Sequence, residues 1–238
     1  IELSQAQKEL YAGLVEKTKQ EMDDIIKSDG FQKSRFKILE LLTRLRQVCI
    51  APSIIFDNYK GSSSKIEECI KVIKEVTDNG HKILLFSSFK TALEIVKKEL
   101  EQNNITYYTI DGSTSSKKRM ELVEKFNNDD TNIFLIMLKA GGTGLNLTSA
   151  DVVIHLDLWW NPQVESQATD RAHRIGQTNT VEVIKLISKG TIEEKILELQ
   201  EKKKTLSDSV IEGEDKAQNV LNKLTEKDIR NLLATPKD

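Results

Sequence analysis

Hydrophobic and polar residues change rhythm twice along the chain. Over residues 1 to 50 the spacing is helical: Leu10, Leu14, Lys17 and Glu21 begin an amphipathic stretch, and Ile38, Leu41, Leu42, Leu45, Val48 and Cys49 continue it. Asp29-Gly30 and Ala51-Pro52 break the pattern, and Gly61-Ser62-Ser63-Ser64 reads as a short flexible connector. From Ser64 to about Thr205 short apolar runs alternate with helix-like segments. Strands are expected at Lys82–Ser87, Ile105–Ile110, Asn132–Leu138, Asp151–Leu156 and Val181–Ile187. Helices are expected at Ile66–Thr77, Thr91–Gln102, Ser115–Phe126 and Pro162–Arg174, the last with Asn161 at its cap and proline in its first position. Thr191-Ile192-Glu193-Glu194 has the form of a capping box opening a further long helix.

Apolar strands without alternation, separated by helices, belong to a parallel sheet covered on both faces. With right-handed crossovers the result is a doubly wound α/β lobe, whose ligands sit beyond the carboxyl ends of the strands. The expected division is a helical protrusion and connector over 1–60, the α/β lobe over 61–205, and a helical tail over 206–238. In the tail, Thr225-Glu226-Lys227-Asp228 resembles a second capping box, followed by Ile229, Leu232 and Leu233.

Composition narrows the class. Of 238 residues 38% are hydrophobic and 30% charged, with a formal net charge of −2, as in an ordinary globular chain. A generally basic nucleic-acid coat is excluded, but a local basic groove is not. The longest apolar run, Ile133 to Leu138, is far short of a membrane span. Two cysteines, Cys49 and Cys69, fit no zinc pattern or disulfide framework, so a reducing, intracellular setting is expected. The first residues do not have the pattern of a secretory signal, and the chain starts without methionine in helix-like sequence; a piece of a longer protein is expected.

Two segments carry candidate chemistry. Lys139-Ala140-Gly141-Gly142-Thr143-Gly144-Leu145-Asn146-Leu147 follows an apolar strand, and its glycines let backbone N–H groups approach a ligand. It lacks the Gly-Lys-[Ser/Thr] of a phosphate-binding P-loop and the third spaced glycine of a dinucleotide fingerprint. Alone, it suits a structural turn as well as a functional one. Further on, Gln167, Arg171 and Arg174 are spaced by four and three, on one face of the expected helix, which ends at Ile175-Gly176-Gln177. Guanidinium groups keep their charge and present paired donors, which suits phosphate chemistry. On spacing alone, surface ion pairs with Asp170 or Glu165 are the simpler account.

Longer stretches carry a resemblance. Asp157-Leu158-Trp159-Trp160-Asn161-Pro162, running into Gln167-Ala168-Thr169-Asp170-Arg171-Ala172-His173-Arg174-Ile175-Gly176-Gln177, resembles the last helicase motif of the Swi/Snf family of DNA-dependent ATPases, in helicase superfamily two. Lys139 to Leu147 resembles the preceding motif, Ile83 to Phe89 the first motif of the second lobe, and Asp111-Gly112-Ser113-Thr114 the short block after it, all in the family's order. Leu45-Arg46-Gln47-Val48-Cys49 fits the protrusion that opens this lobe, although Ile50-Ala51-Pro52 departs from the commoner Cys-Asn-His-Pro.

The resemblance implies the C-terminal RecA-like lobe of an ATP-driven double-stranded DNA translocase. It implies an N-terminal lobe holding the P-loop lysine, the acidic pair and magnesium. Arg171 and Arg174 are then the arginine fingers, with Gln167, Gly142 and Gly144 at the ATP cleft. Ser87, Ser88, Gly112, Ser113, Thr114, Thr143 and Asn146 match positions near the DNA backbone. Double-stranded DNA and the N-terminal lobe are the implied partners, in a monomer of nucleoid, nucleus or prokaryotic cytoplasm. By itself the chain is expected to bind no ATP or magnesium and to hydrolyse nothing. Thr191 to Ser209 resembles the helix that braces the two lobes; Lys202-Lys203-Lys204 reads more simply as a solvated face than as a DNA contact. Trp159 and Trp160 are read as packing rather than base-stacking residues, and His173 as a hydrogen-bonding residue. His81 and His155 lack metal-ligand spacing. The rivals are a DNA-binding or partner-docking module that kept the fold without the motor, and a strand-separating or RNA helicase.

Overall fold

A computed structural model of the chain describes residues 1–140, 145–172, 179–207 and 224–234. In chain order the elements are α1 (Gln5–Asp29), α2 (Phe31–Ile50), a 3-10 turn (Pro52–Ile54), α3 (Ser64–Asp78), β1 (Ile83–Ser87), α4 (Lys90–Gln102), β2 (Tyr107–Ile110), α5 (Ser116–Asn128), β3 (Ile133–Met137), β4 (Val152–His155), α6 (Pro162–Thr169), β5 (Glu182–Lys185), α7 (Ile192–Ser207) and α8 (Glu226–Leu232). They form two compact units: Ile1–Lys65 with the described part of Ile187–Asp238, and Ile66–Leu186. The sequence pattern ran the α/β lobe over 61–205; by contacts, α7 belongs with the first 65 residues. Among the described residues no helix is long and apolar enough to cross a membrane.

The helical unit follows its apolar spacing. Ser4 caps α1, its hydroxyl accepting the Gln7 N–H at 3.3 Å. The helix ends at Gly30, whose φ of +75° suits only a residue without a side chain. Leu14, Val15 and Met22 of α1 are buried, as are Ile38, Leu42, Leu45 and Val48 of α2. Helix α2 stops at Ala51, extended at φ −154° and ψ 123°, because the proline that follows disfavours helical backbone in the residue before it. Helix α8 starts with the full capping box of Thr225 and Asp228. At α7 the box is displaced by one residue: Thr191 Oγ1 accepts from the Glu193 N–H at 3.2 Å, and the Glu194 carboxylate accepts from Gly190 N–H at 2.9 Å. Glu193 turns inward to an ion pair with Lys65, both side chains at most 1% exposed, and also accepts the Ser188 N–H at 2.8 Å. Lys202 is exposed; the side chains of Lys203 and Lys204 lie outside those described.

The second unit is a five-stranded sheet in the order β2-β3-β1-β4-β5, with all neighbours parallel. Ile83 sits beside Ile133 on one side and Val152 on the other. Strands β1 and β4 are wholly buried and β3 nearly so, which their unbroken apolar sequence requires. β5 is an edge strand with Glu182, Val183 and Lys185 exposed, its charges opposing stray pairing. Phe126 on α5 packs its ring against Phe134 of β3 at 5.2 Å, anchoring a core of Phe86, Ile110, Ile136, Leu147 and Val153. From β1 the chain runs out to β2, returns through β3, and passes to β4 on the opposite side of β1. That reversal puts a crevice at the carboxyl ends of β1, β3 and β4.

Candidate functional site

At the centre of that end stands Asp157, two residues beyond β4 and 2% exposed. Its Oδ1 accepts the Ser87 hydroxyl at 2.6 Å and the Ser88 N–H at 3.0 Å. Ser87 Oγ in turn accepts the Phe89 N–H at 3.1 Å. One carboxylate thus shapes the turn from β1 into α4. The same carboxylate fixes the place of Ser87. At 1% exposure, with its hydroxyl committed to Asp157, it supports the turn from within and presents no donor to a ligand. The Ser88 hydroxyl is shielded from solvent and has no hydrogen-bond partner among the described residues.

The exit of β2 is a turn built on Asp111. Asp111 Oδ1 accepts the Ser113 N–H at 2.9 Å and the Ser113 hydroxyl at 2.6 Å, and Asp111 N–H donates to Thr114 Oγ1 at 3.1 Å. Lys90, in the first turn of α4, pairs with Asp111 at 2.8 Å. That lysine, followed by Ser113, holds the carboxyl well below the usual carboxylate range. Gly112 and Ser113 are exposed at the tip, with Thr114 half-buried.

The exit of β3 leads into the glycine-rich segment. Gly142, Thr143 and Gly144 lie outside the described residues, as do His173 and Arg174. Beyond the glycines, Asn146 is exposed, with its carbonyl accepting from Asn127 Nδ2 at 2.8 Å. Leu147 N–H donates to the Arg171 carbonyl at 3.1 Å. This bond joins two segments that the sequence had only put in order: the end of the glycine-rich segment and the arginine turn.

Helix α6 is shorter than expected. It starts as foreseen, with Asn161 Oδ1 accepting the Gln163 N–H at 3.0 Å and Pro162 following the cap. It ends at Thr169, not Arg174, within the described residues. The backbone tightens there: Arg171 N–H reaches Ala168 O at 3.2 Å and Ala172 N–H reaches Thr169 O at 3.0 Å, both three residues back. Arg171 therefore sits in a turn beyond the helix, 8% exposed, while Gln167 is exposed on the helix itself. Gln167 and Arg171 thus do not share one continuous helical face, and Arg174 lies outside the described residues.

Glu165, offered by spacing as a surface partner for an arginine, is buried. Its two oxygens accept from Trp159 N–H at 2.6 Å and Lys185 Nζ at 2.6 Å, so it pins the Trp159 turn to β5. Trp160 is 5% exposed, and Trp159 packs partly buried on the sheet core with Lys139 Nζ 5.7 Å from its ring centre. His155 stacks on Phe86 at 5.7 Å and contacts Thr169 Oγ1 through Nε2 at 3.2 Å. Burial pushes its pKa down. His81 hydrogen-bonds Asp151 at 2.8 Å. Sequence reasoning missed the parts played by Asp157, Lys90 and Glu165; only the pairing of strand ends in the sheet reveals them.

The similarity to known proteins agrees with this geometry. Residues 64–176 match the family described as the helicase conserved C-terminal domain. An ATP-dependent helicase of Mycoplasma pneumoniae, itself named as uncharacterized, is 44% identical over 185 residues, 76% of this chain and 18% of that protein. The chain spans about a fifth of the length of the curated relatives it matches. The structure of the Sulfolobus solfataricus SWI2/SNF2 ATPase C-terminal domain superposes with a TM-score of 0.76 at 30% identity, covering 99% of this chain and 96% of that one. The core of the same enzyme in complex with double-stranded DNA gives 0.78 at 31%, covering 100% of this chain and 50% of that one. With both its fold and its ordered motifs accounted for, the chain belongs to the SWI2/SNF2 ATPase family and has the form of that family's C-terminal helicase domain.

Proposed function

We propose that the chain works as the second lobe of an ATP-driven translocase on double-stranded DNA. In this reading Arg171 and Arg174 reach the γ-phosphate of ATP held by an N-terminal lobe, with Gln167, Gly142 and Gly144 lining the same cleft. Gly112, Ser113, Thr114, Thr143 and Asn146 face the DNA backbone, while Ser87 and Ser88, the latter with its hydroxyl shielded and its N–H held by Asp157, act beneath them by shaping the turn after β1. Backbone and hydroxyl donors of this kind grip phosphates without reading bases, so a near-neutral chain suffices.

The observation that carries the reading is the hydrogen bond from Leu147 N–H to the Arg171 carbonyl. It ties the arginine turn to the segment that would sense DNA, so movement of one displaces the other. Magnesium, which ATP hydrolysis in such enzymes implies, is held by one or two carboxylates and the nucleotide's own phosphates; among the described residues no group of three His, Cys, Asp or Glu could hold a metal ion. The reading assigns it to the N-terminal lobe. What this chain supplies is positive charge: an arginine brought to a γ-phosphate stabilises developing charge and is worth about 10³–10⁵ in rate. The setting is intracellular DNA.

ATPase assays with and without duplex DNA test this, on the 238-residue chain alone and on the protein carrying both lobes. The chain alone should show no turnover, and DNA should stimulate the two-lobe protein. Arg171→Ala or Arg174→Ala in that protein should remove most turnover and leave ATP binding largely intact. Robust hydrolysis by the single lobe would refute the division of labour, and full turnover in either variant would refute the finger assignment. An unwinding assay on DNA and RNA duplexes separates translocation from strand separation.

A further inference from the structure

Arg119 lies in the first half of α5, and its guanidinium is turned toward the backbone of two other segments. Nε donates to the Thr114 carbonyl at 2.9 Å and Nη2 to the Asp111 carbonyl at 3.2 Å. Nη1 donates to the Ala140 carbonyl at 3.2 Å. Asp111 and Thr114 bracket the exposed Gly112-Ser113 tip after β2, and Ala140 is the last residue before Gly141 after β3. One side chain thus holds three carbonyls on two neighbouring crossovers. The Asp111 carboxylate is already engaged by Lys90 and Ser113, so the arginine meets that residue through its main chain. A planar fork can hold three acceptors in fixed directions; an ammonium group cannot span them in the same way.

We infer that Arg119 is a positioning residue that makes the Gly112-Ser113 turn and the start of the glycine-rich segment one mechanical unit. The inference rests on the translocase reading, in which the first meets the DNA backbone and the second lies between DNA and the nucleotide cleft. A displacement of the glycine-rich segment then carries the DNA-facing turn with it through the guanidinium, and DNA seated on the turn restrains the glycine-rich segment in return. Coupling of this kind is reciprocal.

The test uses the two-lobe protein with Arg119→Lys and Arg119→Gln. As a control, Lys82→Gln removes the lysine that donates to the Phe126 and Asp129 carbonyls at the other end of α5, far from either loop in sequence. The readout is the ratio of ATPase with saturating duplex DNA to ATPase without DNA. Both Arg119 variants should lose about tenfold in that ratio, with DNA-free turnover and KM for ATP changing by less than about twofold. Lys82→Gln should lower the thermal midpoint and keep the ratio. A ratio unchanged in folded Arg119→Lys overturns the inference, and that variant decides the matter if Arg119→Gln does not fold. Amide hydrogen exchange on the 238-residue chain gives a second arm, independent of ATPase. Exchange over 111–114 and 139–147 should quicken together in Arg119→Lys; quickening of 111–114 alone also overturns it. Absence of DNA stimulation in the unaltered two-lobe protein would instead count against the translocase reading, leaving the exchange arm to judge the role of Arg119.

Discussion

Replacing Asp157 separates the value of an acceptor from the value of a charge. Its Oδ1 accepts the Ser87 hydroxyl at 2.6 Å and the Ser88 N–H at 3.0 Å inside the lobe. Hydrogen bonds to a charged group contribute about 1.5–3 kcal/mol each. In Asp157→Ala the Ser87 hydroxyl can turn to the Phe89 carbonyl, now at 3.4 Å, so part of its share is recovered. The Ser88 N–H loses its carboxylate acceptor, and the expected loss is about 3 kcal/mol. Asp157→Asn keeps an amide oxygen where Oδ1 was, while giving up the charge and replacing Oδ2 with an NH2 group, for a smaller loss of about 1 kcal/mol. Urea unfolding of the 238-residue chain, followed by far-ultraviolet circular dichroism, measures both through the midpoint at constant slope. If asparagine costs as much as alanine, acceptor geometry is not what Asp157 provides. If alanine costs less than about 1 kcal/mol, the turn does not depend on this carboxylate at all.

Three further outcomes are expected. Glu193→Leu deprives the fully buried Lys65 of its carboxylate and should cost about 3–5 kcal/mol, whereas Lys65→Met combined with Glu193→Leu should recover most of that; equal midpoints for the single and double variants would contradict it. His155 has a folded-state pKa held down by burial, so its neutral form contributes stability that is complete above the unfolded value of about 6.5 and declines as pH falls below it. An NMR titration should find the His155 ring less than half protonated at pH 6.5, and a ring half protonated or more there would refute this. Thr225→Ala removes the N-cap of α8 and should lower stability by about 1 kcal/mol in thermal unfolding, against no change if the capping box is idle.

Much of this architecture could be read from local pattern. Unbroken apolar runs at Ile83–Ser87 and Ile133–Met137 identified the buried parallel strands, because period and burial are written in neighbouring residues. Gly30 and Pro52 announced the breaks around α2, since each restricts the backbone by its own covalent structure. The end of α6 was not legible. Nothing in Asp170-Arg171-Ala172 forbids a helix, and the tightened turn coincides with a hydrogen bond from Leu147, twenty-four residues earlier in sequence. Ser87 was legible as a residue at a strand end but not as a buried one, because its partner Asp157 follows the adjacent strand, 70 residues on. Lys65 looks in sequence like any solvated lysine in a first helical turn. Its complete burial depends on Glu193, 128 residues distant, and no local rule connects them.

The composition of the helical unit has a consequence for biosynthesis. Lys189 N–H donates to the Ile1 carbonyl at 2.8 Å and Glu193 neutralises Lys65, so this unit is assembled from two stretches with the whole of Ile66–Leu186 between them. A ribosome adding about 5–20 residues per second delivers Glu193 roughly 6–26 seconds after Lys65. The sheet is contiguous in the chain and can close during that interval. The Lys65 end of the helical unit waits, its ammonium still hydrated, until α7 emerges. Vectorial synthesis therefore makes the α/β lobe the earlier-folding part and the helical unit its late completion, the reverse of their order from the first residue.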